Sequence, residues 1–437
     1  MREKDHLRLF KIALTLSLGL ALSIAMLLVH GQVTRIENHP VQIPSPRLEI
    51  PSSPRFEGIG PRPLARFEEK PNDLLKHALS EIKTTPRGDR GKLVPALLAA
   101  ISREEAEELR GNFSSLTLPA QLVDPSAITA LVDALATKNS GNAALVLLGM
   151  RRMDGFAFTG SDINGLANAF SIGDAILRAD LATLLGACAH SNDHRVLDVL
   201  VKALSGDKDA KVRSAAAAAL AEIGQESYSK TAELAAMALG DALTKDDSNA
   251  VRSAAAQSLY ELSAKARPAA GAIVKSLGDN DSQVRTYSLF ALPSLGASAA
   301  NAIPELVAIL KRGDDDEASF RACNAVESIG PAASSAVPAL LELLKNERLR
   351  NSAARALGKI GPAASPAVPA LIQLLKSANY DDRECAAYGL GGIGKAATVA
   401  LPALEKAITD ERNSQGAGNP GSAQEAAGMA VSRVKGD

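Results

Sequence analysis

Apolar residues recur at helical spacing in two alternating patterns along the C-terminal two-thirds of this chain. The first pattern begins at or near a proline and continues with leucines three or four positions apart, as in AVPALLELLKN around Pro338. Proline suits the first helical turn because the amide that it lacks would have no partner there, and the leucines mark one buried stripe. Such helices are predicted at four prolines: Pro304, Pro338, Pro369 and Pro402.

The second pattern is an alanine-rich helix with an arginine near its start, as in VRSAAAAALAEIG at Val212–Gly224. Alanine at the central positions lets neighbouring helices approach closely, which a tight stack needs. In each unit an arginine lies eleven residues before the glycine that ends the pattern, or before its substitute Ser263. These arginines are Arg213, Arg252, Arg285, Arg350 and Arg383. In one unit Ser319 takes this register and Arg321 is displaced by two residues.

Glycine separates the two patterns. Each proline follows a glycine by eight residues, and glycine can take the left-handed conformation that ends a helix. These glycines are Gly296, Gly330, Gly361 and Gly394. The predicted order is therefore helix, glycine stop, short loop, proline start, helix. Two units, Gly330–Asn346 and Gly361–Ser377, are nearly identical, and the unit length runs between 31 and 39 residues. Repetition at this period predicts a solenoid.

These units resemble HEAT repeats, in the short bacterial form that phycobilisome-lyase-type proteins also contain, over about residues 174–410. The resemblance implies an all-α fold, an α-solenoid of stacked two-helix repeats that coils as a right-handed superhelix. It also implies a concave face lined by the second helix of each repeat.

In that family an acidic residue in the turn within a repeat commonly pairs with an arginine of the next repeat. The positions that fit lie six residues before Arg213, Arg252 and Arg285, and they are Asp207, Asp246 and Asp279. The equivalent positions of later repeats hold no acid: they are Gly313, Leu344 and Ser377. We therefore expect a continuous ladder of ion pairs in the middle repeats only, with a structural role for these charges.

The N-terminal region carries an apolar run of 18 uncharged residues, Ile12–Val29, behind a short basic segment. This run is long for a signal-peptide core and just reaches the length that spans a bilayer. The basic flank predicts a cytoplasmic N-terminus and an exported repeat domain in a single-pass membrane protein. A cleaved signal peptide is the alternative, and the repeat domain would then be secreted.

The chain divides into five predicted segments. Residues 1–31 form the signal anchor or signal peptide, and residues 32–71 form an extended linker because proline at high density forbids a helix. Residues 72–173 contain amphipathic helices that lack the glycine and arginine register, and we interpret them as degenerate repeats that cap the array. The array spans 174–410, and residues 411–437 form a loop and a short helix.

Two shorter features complete the pattern. Met150–Gly165 interrupts the helical spacing within the cap and predicts an ordered loop or insertion. The short C-terminal helix is predicted around Ala423–Val434.

The composition argues against a nucleic-acid partner. The net charge is −1, and aromatic residues make up 3% of the chain with no tryptophan. Neither an electrostatic footprint nor a base-stacking surface is available from such a composition.

No catalytic, cofactor-binding or metal-binding residue emerges from the motifs. The three cysteines lie at no metal-ligand spacing and are predicted as small hydrophobic residues: Cys188, Cys323 and Cys385. His190 and His194 are four residues apart but lack a third ligand. GLGGIG at Gly389–Gly394 follows no strand, so it is a repeat terminus rather than a dinucleotide fingerprint.

The sequence therefore predicts a non-enzymatic scaffold that binds a protein partner on the face formed by its second helices. Aromatic and arginine side chains favour interfaces. The candidate partner-binding residues are Gln257, Tyr260, Tyr287, Arg355 and Tyr388. The alternative is a lyase-type enzyme, or an accessory to one, that acts on a partner protein bearing a chromophore or cofactor; it rests on analogy of fold.

Overall fold

The computed structural model of this protein describes residues 73–102, 106, 118–151, 153–188, 194–226, 230–410 and 423–436. Every regular element in these residues is an α-helix or a 3₁₀-helix, and none of them is a strand. The predicted all-α fold is confirmed.

The α-helices are numbered here in chain order. The first five are α1 (Asp73–Thr84), α2 (Val94–Ala100), α3 (Pro125–Ala134), α4 (Ser140–Met150) and α5 (Gly160–Ile172). The next eight are α6 (Ala175–Gly186), α7 (His194–Gly206), α8 (Ala210–Glu226), α9 (Lys230–Lys245), α10 (Asn249–Leu262), α11 (Ala270–Ser276), α12 (Ser282–Leu295) and α13 (Ile303–Arg312). The last seven are α14 (Asp316–Ile329), α15 (Val337–Leu343), α16 (Arg350–Ile360), α17 (Val368–Leu374), α18 (Tyr380–Ile393), α19 (Leu401–Thr409) and α20 (Ala423–Lys435).

From α3 onward the helices form pairs, in which the odd-numbered helix is the first helix of a repeat and the even-numbered helix is the second. Each first helix packs against the second helix that follows it, and each second helix packs against the second helix of the next repeat, from α4 to α20. One continuous hydrophobic core runs through the stack from Leu75 to Val434. The predicted α-solenoid of two-helix units is therefore present.

The second helices approach each other to backbone contact. A Cβ atom on Gly389 of α18 would lie 2.8 Å from the carbonyl oxygen of Ala354 in α16, and one on Gly392 would overlap the carbonyl of Gly358. No side chain fits between these two helices at those positions. The small residues of the second pattern therefore allow the second helices to pack closely, as the sequence predicted.

The link between the two helix types differs from the predicted short loop. It is a 3₁₀-helix of seven residues, such as Gly330–Ala336 and Gly361–Ala367, followed directly by the first helix. The predicted proline starts are confirmed, with each proline at the second residue of its helix: Pro304, Pro338, Pro369 and Pro402.

The glycines that end the second helices have positive φ, between 57° and 80°. Their ψ values lie between −134° and −143°, so the predicted left-handed helical conformation is wrong in its ψ angle. This region of backbone space is open to glycine and costly for any residue with a side chain. The unit that ends at Ser263 takes the same conformation, with φ of 53° and ψ of −128°.

Part of the predicted loop at Met150–Gly165 is helical. The loop ends at Phe158, and α5 begins at Gly160 behind a capping box between Thr159 and Asp162. Asp162 is buried and also accepts a hydrogen bond of 2.9 Å from Thr129 Oγ1 in α3. This T-x-x-D signature marks a helix start that the hydrophobic spacing alone did not reveal.

The two ends of the chain are described unequally. The predicted C-terminal helix is present as α20. The predicted membrane segment at residues 12–29 and the proline-rich linker at 32–71 lie outside the described residues. Among the residues that the structure describes, no helix combines the length and the apolar character needed to cross a membrane.

Replacing Ser263 by glycine is expected to stabilise the fold. Because serine is held at φ of 53°, Ser263→Gly should raise the free energy of unfolding by about 1 kcal/mol. The measurement is the midpoint of urea unfolding, with Ser263→Ala as the control that keeps the strained backbone. A midpoint for Ser263→Gly at or below that of Ser263→Ala would contradict this account.

Candidate functional site

An arginine at the fourth position of several second helices joins adjacent repeats. In α8, Arg213 Nη1 donates to the carbonyl oxygen of Asp207, 2.9 Å away, in the turn just before its own helix. Its Nε and Nη2 donate to the two carboxylate oxygens of Asp246 in the next turn, at 2.7 and 2.8 Å. This two-pronged contact fixes the guanidinium between two turns, which is the strongest form of arginine–carboxylate pairing.

The same contact occurs in the repeats before and after. Arg178 in α6 holds Asp207 at 2.7 and 2.9 Å, and Arg252 in α10 holds Asp279 at 2.8 and 3.0 Å. Each aspartate thus pairs with the arginine of the preceding repeat, so the direction that the family resemblance implied, toward the next repeat, is wrong. The arginine that follows in its own repeat contacts its main-chain carbonyl instead.

The run of ion pairs ends at Gly313. Arg285 in α12 donates to the carbonyl oxygens of Asp279 and Asn280, at 2.8 and 3.0 Å, and contacts no carboxylate within the described part of the chain. In the next turn Gly313 takes the position of the carboxylate, and a Cβ atom on it would meet nothing within 4 Å. Of its acidic neighbours, Asp314 lies 3.7 Å from Arg312 Nε and Asp315 caps α14. Ser319 takes the arginine position in α14, and it is buried.

In the last repeats an arginine again takes this position, but its partners differ. Arg350 Nη1 lies 3.2 Å from Asp382 Oδ2, and Ser377 Oγ donates to the same carboxylate at 2.6 Å. Arg383 donates to the carbonyl oxygens of Ser377 and Ala378, each 2.9 Å away. Asp382 therefore supplies the carboxylate that position 377 lacks, from within α18 rather than from the turn.

The arginines lower the pKa of the turn aspartates. Hydrogen bonds from Arg178 and Arg252 hold the pKa of Asp207 and Asp279 below the usual range. Burial is the largest single effect on the pKa of Asp246 and raises it, but the hydrogen bonds from Arg213 and the Ser248 amide, together with the charge of Arg213, outweigh burial and leave this pKa lowered too. All three carboxylates are therefore ionised and paired at neutral pH, and their role is to hold the stack together.

A second group of side chains lies on the solvent-exposed surface of the second helices. The rings of Tyr260 and Phe290, on α10 and α12, meet edge to face with centroids 6.0 Å apart. The guanidinium of Arg321 on α14 lies 4.4 Å from the centroid of Phe290 and 5.6 Å from that of Phe320. We call these four residues the aromatic strip. It crosses three consecutive repeats.

The aromatic strip is accessible and held in place. Tyr260 and Phe320 are 39% and 36% exposed, although both are large apolar side chains. Arg321 Nε donates to Glu317 at 2.7 Å, which fixes the guanidinium over the rings. An aromatic and arginine cluster of this kind has little side-chain entropy left to lose on binding.

The five candidate partner-binding residues all lie on second helices, but the structure brings only some of them to the surface. Gln257 and Tyr260 are exposed near each other on α10, and Arg355 on α16 is exposed and pairs with Glu327 at 3.1 Å. Tyr287 is half-buried and packs against the core. Tyr388 is half-buried, with Lys359 Nζ 5.7 Å from its ring centroid.

Three residues of the strip were absent from the sequence-based set: Phe290, Phe320 and Arg321. The sequence position of Phe290 could have identified it. Phe290 lies six residues before the glycine that ends its helix, Gly296, and the candidates Gln257 and Tyr388 likewise lie six residues before the ends of theirs. Comparing equivalent positions across repeats would have identified it. Phe320 and Arg321 have no such signal, since Arg321 was identified only as a displaced arginine.

The cysteines do not form a reactive site. None of the three forms a disulfide, and Cys188 and Cys323 are buried, as predicted for small hydrophobic residues. Burial raises the pKa of the Cys323 thiol to about 12 and that of the half-buried Cys385 thiol to about 11. Both therefore stay protonated at neutral pH, and a thiol is a poor nucleophile compared with a thiolate.

Two other candidate motifs are the glycine-rich segment Gly389–Gly394 and the pair of histidines, His190 and His194. Gly389–Gly394 lies in and directly after α18, where Gly389 and Gly392 face α16 and Gly391 faces α20. Of the two histidines, His190 lies outside the described residues and His194 begins α7. Among described residues, no group of three or more histidine, cysteine, aspartate or glutamate side chains is arranged to hold a metal ion.

Removing one carboxylate from the run of ion pairs should destabilise the protein and change its pH dependence. Arg213 and Asp246 are 12% and 8% exposed. Asp246→Asn removes the buried carboxylate from this desolvated guanidinium, which keeps only the 94% exposed Asp247, and should cost about 2 kcal/mol. Because the folded-state pKa of Asp246 is lowered, its stabilisation is full above about pH 5 and is lost as the pH falls through the ordinary aspartate value of about 3.9 and below.

The measurement is the free energy of unfolding between pH 7 and pH 3. The wild-type protein should lose stability toward low pH, and Asp246→Asn should show a shallower loss. Asp241→Asn is the matched control, since Asp241 is 70% exposed and pairs only with Lys245 on the same helix. Equal effects of the two substitutions would show that the bidentate pair adds nothing.

The helices described above match known repeats in sequence and in structure. The family of HEAT repeats matches residues 163–260, 303–381 and 337–416. No curated protein matches the sequence. A crystal structure of an engineered protein from the Northeast Structural Genomics Consortium is 21% identical, covers 83% of this chain and 99% of its own, and superposes with a TM-score of 0.57.

Two natural helical proteins are more distant. A structure from work on a phosphorylation switch in the interaction between cadherin and beta-catenin is 16% identical over 82% of this chain and 80% of its own, with a TM-score of 0.49. A structure of importin beta is 15% identical over 82% of this chain and 51% of its own, with a TM-score of 0.44. HEAT repeats are therefore matched in two stretches of this chain, residues 163–260 and 303–416, and the engineered structure shares its all-helical stacked fold.

Proposed function

We propose that this protein is a non-enzymatic interaction scaffold that binds a protein partner on the exposed surface of its second helices, the face that the resemblance to HEAT repeats implies to be concave. The observation that carries the proposal is the aromatic strip, where Tyr260 and Phe320 remain exposed on either side of the half-buried Phe290, across three adjacent repeats. Exposed clusters of aromatic and arginine side chains are enriched at protein interfaces and supply most of their binding energy.

The placement of the strip favours a protein over a small molecule. Its residues lie on α10, α12 and α14, three helices whose axes are spaced by about 10 Å each. A ligand that contacts all three must therefore extend over about 20 Å. An extended polypeptide segment meets this requirement, and repeat arrays present surfaces of this length.

The chemistry of the described side chains supports a binding role over catalysis. The protonated thiols of Cys323 and Cys385 are poor nucleophiles at neutral pH. Two arginines of the second-helix surface are engaged in local pairs, Arg321 with Glu317 and Arg355 with Glu327. A net charge of −1 offers no general attraction to nucleic acid.

The proposal includes a membrane tether at residues 12–29, with the N-terminus in the cytoplasm and the repeats exported. Its support is the uncharged apolar run and its basic flank in the sequence. The proline-rich residues 32–71 then act as a spacer between the membrane and the first helix. A partner would be met on the extracytoplasmic side.

Partner binding at the aromatic strip is testable by site-specific photocrosslinking in cells. A photoreactive amino acid at position 257, beside Tyr260, should give one recurrent crosslinked protein, and the double substitution Tyr260→Ala with Phe320→Ala should abolish it. The control places the same amino acid at position 237, since Met237 is 52% exposed on the first helix α9. Crosslinks of equal yield at both positions, or crosslinks that survive the double substitution, would disprove this site.

The tether is tested by fractionation of the full chain. The protein should sediment with membranes and resist extraction at high pH. Leu20→Arg places a charge at the centre of the apolar run, which costs about 3 kcal/mol in insertion and should shift the protein to the soluble fraction. Wild-type protein that is fully soluble and uncleaved would refute the tether.

A further inference from the structure

We propose that the occupant of the aromatic strip is a proline-rich segment in the polyproline II conformation, with a basic residue at one end and an acidic residue at the other. The inference rests on the proposed function, since it names the kind of segment that the protein partner presents. Three properties of the surface lead to it: the spacing of the helices, the groups beside the rings, and the charges at the two ends.

The spacing of the second helices matches the polyproline II repeat. Polyproline II has three residues per turn and rises about 3.1 Å per residue, so the same face returns about every 9 Å. Neighbouring second helices are about 10 Å apart. A segment that runs along the stack therefore presents an equivalent face to each repeat in turn.

Other extended conformations fit this spacing less well. Side chains on one face of a β-strand repeat about every 7 Å, and successive turns of an α-helix are 5.4 Å apart. A strand ligand also binds best to a sheet edge, and the described residues contain no strand that could offer one.

The side chains beside the rings suit a segment with free carbonyl groups. Gln257, Phe290 and Asn324 lie at the same register on α10, α12 and α14, six residues before Ser263, Gly296 and Gly330. The helices on either side of Phe290 therefore each carry a side-chain amide at its register. Gln257 Nε2 donates one hydrogen bond to Glu261 and has a second N–H to donate. Polyproline II has no internal hydrogen bonds, so its carbonyl oxygens are available to accept. Aromatic rings with neighbouring donors are the usual surface for such ligands.

The charges at the two ends of this surface are opposite and uncompensated. Glu261, next to Tyr260, is exposed, and its carboxylate accepts a hydrogen bond from Gln257 but meets no cation among the described residues. Lys359 on α16 is exposed over the ring of Tyr388 and pairs with no carboxylate in the described ranges. The charged groups between them, Arg321 and Arg355, are already neutralised by Glu317 and Glu327.

These end charges set the polarity and the length of the ligand. Glu261 and Lys359 are separated by three helix-to-helix steps, from α10 to α16, or about 30 Å. A polyproline II segment covers this distance with about ten residues. The surface therefore fits a segment that carries arginine or lysine near Glu261, prolines over the rings, and glutamate or aspartate near Lys359.

The test uses a synthetic probe, the ten-residue peptide RPPAPPAPPE with both termini blocked and a fluorescent label. Fluorescence anisotropy is measured with the full chain in detergent micelles. We expect saturable binding that is weakened at least fivefold by Tyr260→Ala and by Glu261→Gln, and weakened by added salt. The matched controls on α9, Met237→Ala and Glu233→Gln, should leave the affinity unchanged.

Two further peptides test length and charge. RPPAPPE is one turn shorter and cannot reach both end charges, and QPPAPPAPPQ lacks them, so each should bind at least fivefold more weakly than the full probe. Circular dichroism of each protein variant verifies that the helical content is unchanged.

The failures of the two proposals are distinguishable. If the peptide does not bind, or binds equally to Tyr260→Ala and Glu261→Gln, while the photocrosslink at position 257 still depends on Tyr260 and Phe320, the polyproline inference is overturned and the scaffold function stands. If the peptide does not bind and no strip-dependent crosslink forms, both proposals are overturned.

Discussion

The structure depends on bringing the second helices together at backbone distance. A single two-helix unit cannot bury both sides of its second helix, so each unit relies on its neighbours for a core. Alanines fill most of the contact, and between α16 and α18 even a methyl group would collide with the backbone at Gly389 and Gly392. This spacing fixes the distance from one repeat to the next, and with it the positions of the ion pairs on one side and of the exposed rings on the other.

The stacking has two further consequences, which involve the ion pairs at the turns and the glycines at the helix ends. Successive turns come close together, and Arg213 uses that proximity to bind its own turn through a carbonyl and the next turn through Asp246. Each second helix must also reverse sharply into a 3₁₀-helix, which requires positive φ at positions such as Gly330. Ser263 takes the same conformation without the freedom of glycine.

The regular features of the fold could be predicted from the sequence because they recur. The proline starts and the arginine register appear in several copies, so each copy supports the others. The features that were missed either depart from the shared register or leave no mark in the hydrophobic pattern. Arg178 lies at the fourth position of α6 but only eight residues before Gly186, so a count from the terminal glycine excluded it, and a count from the helix start would have included it. The 3₁₀ links and the ψ angle of glycines such as Gly330 could not be predicted, because neither produces a periodic pattern of hydrophobic residues.

The sequence predicted which helices carry the candidate surface but not which of their side chains are exposed. Its location on the second helices followed from the repeat pattern, and Tyr260 is indeed exposed there. Tyr287 was chosen for its residue type, but its position three residues before Phe290 turns it toward the core. The stacking of Arg321 on Phe290 depends on contacts between different repeats, which residue type and register within one repeat cannot supply.

The end of the ion-pair run at Gly313 has a mechanical consequence. From α6 to α11 the turns are cross-linked by bidentate pairs along one edge, which resists any bending that would open that edge. Between α12 and α14 this reinforcement is missing, because Arg285 finds no carboxylate at Gly313. Because Ser319 replaces the arginine of α14, the boundary between α14 and α16 lacks the bidentate pair as well, so bending meets less resistance from α12 to α16. Phe290 and Arg321 face each other across the boundary between α12 and α14, so bending there changes the separation of the two groups at the centre of the aromatic strip.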